Sequence, residues 1–237
     1  MILSELKKMK RHYIVPLSIS VVVLFALLAA FQLVNAKGAV QGYLPLVDGI
    51  LWNNVTLAFP FLITFFGGFI INREYTDDTM KNNILIPVSC QKLKLSKIAV
   101  TGLSTVLFIG SSFICSIVFA IVLHYSITLR DMVIAFEKLF VTGITCYISV
   151  IPIIVIFSMK KNTFFVGTCV AFVYGICGVF VADTKLTSWY PVTTGLTFIK
   201  YNPESTNYHL LIAILVLVIC LFFSLLFITK TKRCLYE

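Results

Sequence analysis

Charge is what this sequence has least of. Of 237 residues, 12% are Asp, Glu, Lys or Arg and 59% are hydrophobic, with a mean hydropathy of +0.98. So few charges cannot cover a soluble domain of this length, which excludes a water-soluble globule. Phosphate-binding machinery is missing too. Nothing matches GxxxxGK[ST], the loop whose backbone amides cradle phosphates, so the chain does not bind ATP by that device. There is no HExxH, and His12, His124 and His209 all stand at the edges of apolar runs. No Ser/His/Asp set can be assembled, and no paired acids lie deep in an apolar run. The chain is expected not to be an enzyme, and to hold no metal or cofactor of its own. Its seven cysteines form no CxxC or Cys/His ligand spacing and read as free thiols packed as small hydrophobes.

What is present is length without charge. A bilayer core of about 30 Å takes roughly 20 apolar residues per helix. Six runs qualify, at about residues 14–34, 50–71, 98–123, 133–157, 163–182 and 210–228. The expected fold is therefore an all-α membrane protein, a single domain of six transmembrane helices over residues 1–237. Lys and Arg give its orientation. The two termini and the flanks at 73–97 and 160–161 carry 14 of the 19 basic residues, and the opposite loops carry 5. Both termini and the 72–97 block are therefore expected on the cytoplasmic side of the cell membrane. The net charge of +9 then reflects basic loops facing anionic lipid, not nucleic acid.

Residues 1–13 place Ile2, Leu3, Leu6 and Met9 at helical spacing opposite Lys7, Lys8, Lys10 and Arg11. That suits an amphipathic helix lying in the interface, although a basic tail would obey the same charge rule. In the second run, Asn53, Thr56, Pro60, Thr64 and Gly67 share one helical face. Gly167, Ala171, Gly175, Gly178 and Ala182 do the same in the fifth. Ordinary close packing accounts for such stripes. The sharper reading makes Asn53, Thr56, Pro60 and Thr64 a candidate translocation path through a dimer. Between the fifth and sixth runs, Trp189, Tyr190, Phe198 and Tyr201 suit either an interfacial loop or a short re-entrant helix. Glu137 and Lys138 are placed at the outer interface, because residues 139–157 suffice to span.

One block, "NREYTDDTMKNNILIPVSCQKLKLSK", interrupts this pattern between the second and third runs. Asp77 and Asp78 suit the positive end of a helix. Thr79 to Ile86 can form two turns, which Pro87 stops. A short helix set between two bends, with Met80, Ile84 and Leu85 on offer, has the shape of a docking handle.

The order Arg73-Glu74, Asp78-Thr79, Ile84-Leu85-Ile86, Pro87-Val88-Ser89 and Ser96-Lys97 resembles the ABC-2 class of transporter permeases. Within that class it looks like the small Gram-positive permeases for bacitracin resistance, lantibiotic immunity and peptide export. The topology adds to the likeness, with a coupling helix between the second and third spans. Where members often carry Gly and Arg, this chain has Asp78 and Cys90, so no role of that Arg carries over.

The resemblance implies the permease subunit of an ATP-driven exporter of antimicrobial or amphipathic peptides. ATP and Mg would reside on a separate ABC ATPase, docked through Glu74, Asp78, Thr79, Met80, Ile84, Leu85 and Pro87. A second permease chain, identical or related, would complete the pair in lipid. A secondary transporter or channel not driven by ATP is the rival. The topology has a direct test. Single cysteines replacing Lys160 or Thr231 should react with impermeant thiol reagents only after the membrane is opened. Labelling of either from outside intact cells would reverse the orientation.

Overall fold

The computed structural model describes residues 13–38, 40–76, 90–157, 163–182, 184–201 and 209–230. Every regular element among them is helical. They are α1 (Ile14–Asn35), α2 (Tyr43–Asn53), α3 (Phe59–Thr76), α4 (Cys90–Val122), α5 (Leu129–Phe157), α6 (Phe164–Val181), α7 (Thr194–Ile199) and α8 (Leu210–Lys230). A π-helical turn, Asn54–Ala58, joins α2 to α3 into one continuous rod. With that rod as span two, six helices are long and apolar enough to cross a membrane, as expected from the runs. The amphipathic start at residues 1–12 lies outside the described residues.

Three helix starts differ from expectation, each for a local reason. Span two begins at Tyr43, seven residues earlier than the apolar run at Ile50, and therefore includes Asp48. That charge is tolerated because Lys138 Nζ donates to Asp48 Oδ1 at 2.6 Å. Helix α5 begins at Leu129 because Thr128 and Asp131 cap it reciprocally. Thr128 Oγ1 donates to Asp131 Oδ2 at 2.7 Å and accepts from the Asp131 N–H at 3.2 Å. Helix α4 runs for 33 residues, about 50 Å at 1.5 Å per residue, so it overshoots the hydrocarbon core.

Span two is the axis of the bundle. In its most apolar window 78% of residues are buried within the chain, against 56% for span four and 22–33% for the other four. Its α3 half packs most extensively on α6, and also against α5 and α4. The apolar faces left outward on α1, α4, α6 and α8 present Leu24, Leu107, Val173 and Phe222 among others. Lipid suits them, because tails are as apolar as leucine and association rests on packing and polar contacts instead.

The segment between spans five and six folds back into the bundle, which favours the re-entrant alternative over an interfacial loop. Thr187, Thr193, Thr194 and Thr197 have no exposed surface. Tyr190 Oη donates to the Tyr174 carbonyl at 2.6 Å, and Tyr201 stacks on Trp52 of span two. Burial pushes the Tyr190 phenol up, so it stays a donor. Gly195 lies so close to α5 that a Cβ there would stand 2.5 Å from Thr145 Oγ1. The end containing this segment and residues 36–42 is called the loop end below. The opposite end, where α3 and α4 approach each other, is called the foot.

Spans two and five touch at Gly175, where a Cβ would press on the Thr56 carbonyl oxygen and lie 2.9 Å from Pro60 Cγ. Gly175→Ala should therefore lower stability by about 1–3 kcal/mol, as overpacking does. Gly110→Ala, with nothing within 4 Å of the added carbon, should leave it unchanged. Melting of the purified chain in detergent reads both. Equal melting of the two variants would refute the close contact.

Candidate functional site

Pro60 shapes the middle of span two. A proline has no N–H for the carbonyl four residues back, and its ring crowds that carbonyl. Here the carbonyl is that of Thr56, and the chain widens into the π turn just before the proline. The Phe59 N–H reaches the Asn54 carbonyl, five residues back. Such turns occur mostly as single insertions in α-helices and often at functional sites. Gly175 on span five leaves room for the displaced Thr56 carbonyl.

Around this turn lies a buried polar seam. Asn53 Nδ2 donates to Gln32 Oε1 on span one at 3.1 Å, and Asn54 Nδ2 to Ser112 Oγ on span three at 3.0 Å. Thr56 Oγ1 donates to its own helix at the Trp52 carbonyl, 2.7 Å away. Two oxygens stay unsatisfied: Asn54 Oδ1 and Thr64 Oγ1 are buried and make no hydrogen bond. A buried polar atom without a partner is costly, and costlier in lipid, where no water substitutes. Asn53, Thr56, Pro60 and Thr64 are all buried, and the π turn interrupts the helical period between Asn53 and Pro60. They lie inside this chain's own bundle, with Asn53 against span one and Thr56 and Pro60 against span five.

Below the turn the contacts change character. Phe61 meets Phe172 edge-on, Phe65 meets Phe164, and Gly67 and Gly68 sit close against Ile154, Thr101 and Phe164. Above it, side-chain bonds tie α2 to three other spans: Tyr43 to Ser116, Asp48 to Lys138, and Asn53 to Gln32. Side-chain bonds cross-link the upper half, and the lower half has ring and glycine contacts together with the bond from Lys97 to the Ile70 carbonyl.

The lower half leads to the charged block. Helix α3 runs to Thr76, so the backbone of Glu74 lies in its last turn. Asp78, Thr79, Met80, Ile84, Leu85 and Pro87 lie outside the described residues. Missed from sequence were Gln32, Ser112, the Asp48–Lys138 pair and Lys97, whose Nζ donates to the Ile70 carbonyl at 2.9 Å. Ser112 and Ser116 stand four apart and share a face, a signal that was there to read. Cys115, Cys146, Cys169, Cys177 and Cys220 are free; Cys146 is buried as expected, whereas Cys169 and Cys177 face outward. Among the described residues no cluster of His, Cys, Asp or Glu could hold a metal.

Residues 1–178 match the family described as ABC-2 family transporter protein, most of the chain. The chain belongs to that family. It is similar to the bacitracin transport permease protein BCRB of Bacillus licheniformis, 23% identical over 144 residues. The match covers 57% of this chain and 68% of that protein. No solved structure matches. An ABC-2 permease is the multi-pass membrane subunit of an ABC transporter, which implies an ABC ATPase partner.

The Asp48–Lys138 pair anchors the upper half of span two of this ABC-2 permease to span four. Its two side chains are 32% and 22% exposed, so water screens it in part. Lys138→Met should lower the melting point, and adding Asp48→Asn should restore most of the loss. The coupling energy should be about 1 kcal/mol, the upper range for partly solvated pairs. Strict additivity of the two single changes would show that the pair contributes nothing.

Proposed function

We propose that this permease subunit serves an ATP-driven exporter that moves antimicrobial or amphipathic peptides out of the membrane or the cell. Two permease chains, alike or related, work with two ATPase subunits, which bind the ATP and Mg. The termini and the 72–97 segment face the cytoplasm. Glu74, Asp78, Thr79, Met80, Ile84, Leu85 and Pro87 form the surface that docks the ATPase. Asn53, Thr56, Pro60 and Thr64 line the route that opens during transport. The cargo class is supported by the bacitracin permease as a distant relative.

One observation carries the mechanical part of this reading. Helix α3 is an unbroken helix of 18 residues from the π turn to the edge of the docking segment. An α-helix is stiff over that length, about 27 Å, so movement of the segment reaches Pro60 and Thr56. The upper half, tied by its polar bonds, resists that movement, and the π turn absorbs the difference. Two unsatisfied buried oxygens beside the turn suit a region that exchanges partners between states. Along α3, Phe61, Phe65 and Gly68 face Phe172 and Phe164 of α6 through ring and glycine contacts.

The docking surface is tested by Ile84→Ser combined with Leu85→Ser. Each buried Leu or Ile contributes about 1.5–3 kcal/mol, so losing two lowers ATPase affinity about a hundredfold or more. The double variant should insert normally, fail to retain the ATPase on purification, and lose protection of cells challenged with bacitracin. A variant that still held its ATPase and protected the cell would reduce residues 72–97 to a topological anchor.

A further inference from the structure

The side chain least expected where it sits is that of Lys97. It is 1% exposed, among the largest fully buried side chains of the described residues. Lysine is almost never buried to that degree without a partner, and within a membrane helix such a residue marks function more often than packing. Its position is not incidental. Lys97 begins the inward face of α4, a face continued by Thr101, Ser104, Thr105, Phe108 and Ser112, all buried.

One partner of its amine lies at the foot of span two. Lys97 Nζ donates to the Ile70 carbonyl oxygen at 2.9 Å. Ile70 is six residues from the end of α3, near the negative end of that helix, where a basic group is favoured. One residue further along α4, the Ile98 carbonyl accepts from Tyr147 Oη of span four at 2.7 Å. The start of span three is thereby fastened to span two through Lys97 and to span four through Tyr147. Residues 77–89 connect the two helices that Lys97 joins.

We propose that Lys97 is a positioning residue that holds the two roots of the 77–89 segment at a fixed separation. A force on that segment then moves spans two and three as one unit instead of prising them apart. This rests on the reading of residues 72–97 as the ATPase-docking handle. Packing alone gives no reason for lysine here: a methionine of similar length fills the same space without a buried amine to satisfy. What methionine lacks is the donor that reaches across to Ile70.

The test is Lys97→Met in the full chain, in lipid nanodiscs and in a background with the native cysteines replaced. Nitroxides on cysteines placed at Thr76 and Gln91 report the separation of the roots by dipolar EPR. The parent should give one narrow distance distribution, and Lys97→Met a clearly broadened one, with melting unchanged or raised. In cells where the parent co-purifies its ATPase and protects against bacitracin, the variant should keep the ATPase. It should lose about tenfold in protection, the scale of one hydrogen bond made by a charged group. A distribution as narrow as the parent's overturns the proposal. So does a variant that melts early or fails to insert, because Lys97 then serves stability alone. If the parent itself holds no ATPase, the docking reading fails, and the EPR comparison still decides whether Lys97 sets the separation.

Discussion

Pro60 cannot give a hydrogen bond to the Thr56 carbonyl, and that single deficit organises much of the bundle. The helix widens into the π turn at Asn54–Ala58, and the Thr56 carbonyl is pushed towards span five. Only a residue without a side chain can face it, and Gly175 does. Asn53 and Asn54, just before the turn and at its start, are carried to neighbours on spans one and three, where Gln32 and Ser112 receive them. In a lipid environment these partners must come from the chain itself. Span two is also the most buried of the six spans.

The consequence is a rod with unlike halves. Towards the loop end it is held by Tyr43–Ser116, Asp48–Lys138 and Asn53–Gln32, and Trp52 is covered by Tyr201 from the folded-back segment. Towards the foot it rests on rings and glycines, with Lys97 reaching its last turns. On the proposed reading, work done by an ATPase enters at the foot. The firmly bonded half supplies the reference against which α3 moves.

Six spans were legible because length and the scarcity of charge are properties of contiguous sequence. The polar stretch of span two, Asn53, Thr56, Pro60 and Thr64, was visible by its composition, but the π turn that interrupts its helical period was not. What could not be read were matches between distant residues. Asp48 fell outside the expected run at 50–71 because its partner Lys138 is 90 positions away. Lys97 looked like one more basic residue flanking a span until the Ile70 carbonyl appeared beside it. The start of α5 was readable from Thr128 and Asp131 and was passed over in favour of the apolar run that follows. Of the docking residues, only Glu74 lies on a described helix, so that surface still rests on the sequence pattern.

The account depends on a physical joint between this chain and an ATP-hydrolysing partner. A photo-activatable amino acid placed at Leu85 in living cells, followed by mass spectrometry of the cross-linked species, tests that joint most directly. The account predicts one dominant adduct with an ABC ATPase subunit, lost when Ile84 is also replaced by serine. Adducts confined to lipid or to the permease itself, with no ATPase captured, would contradict it.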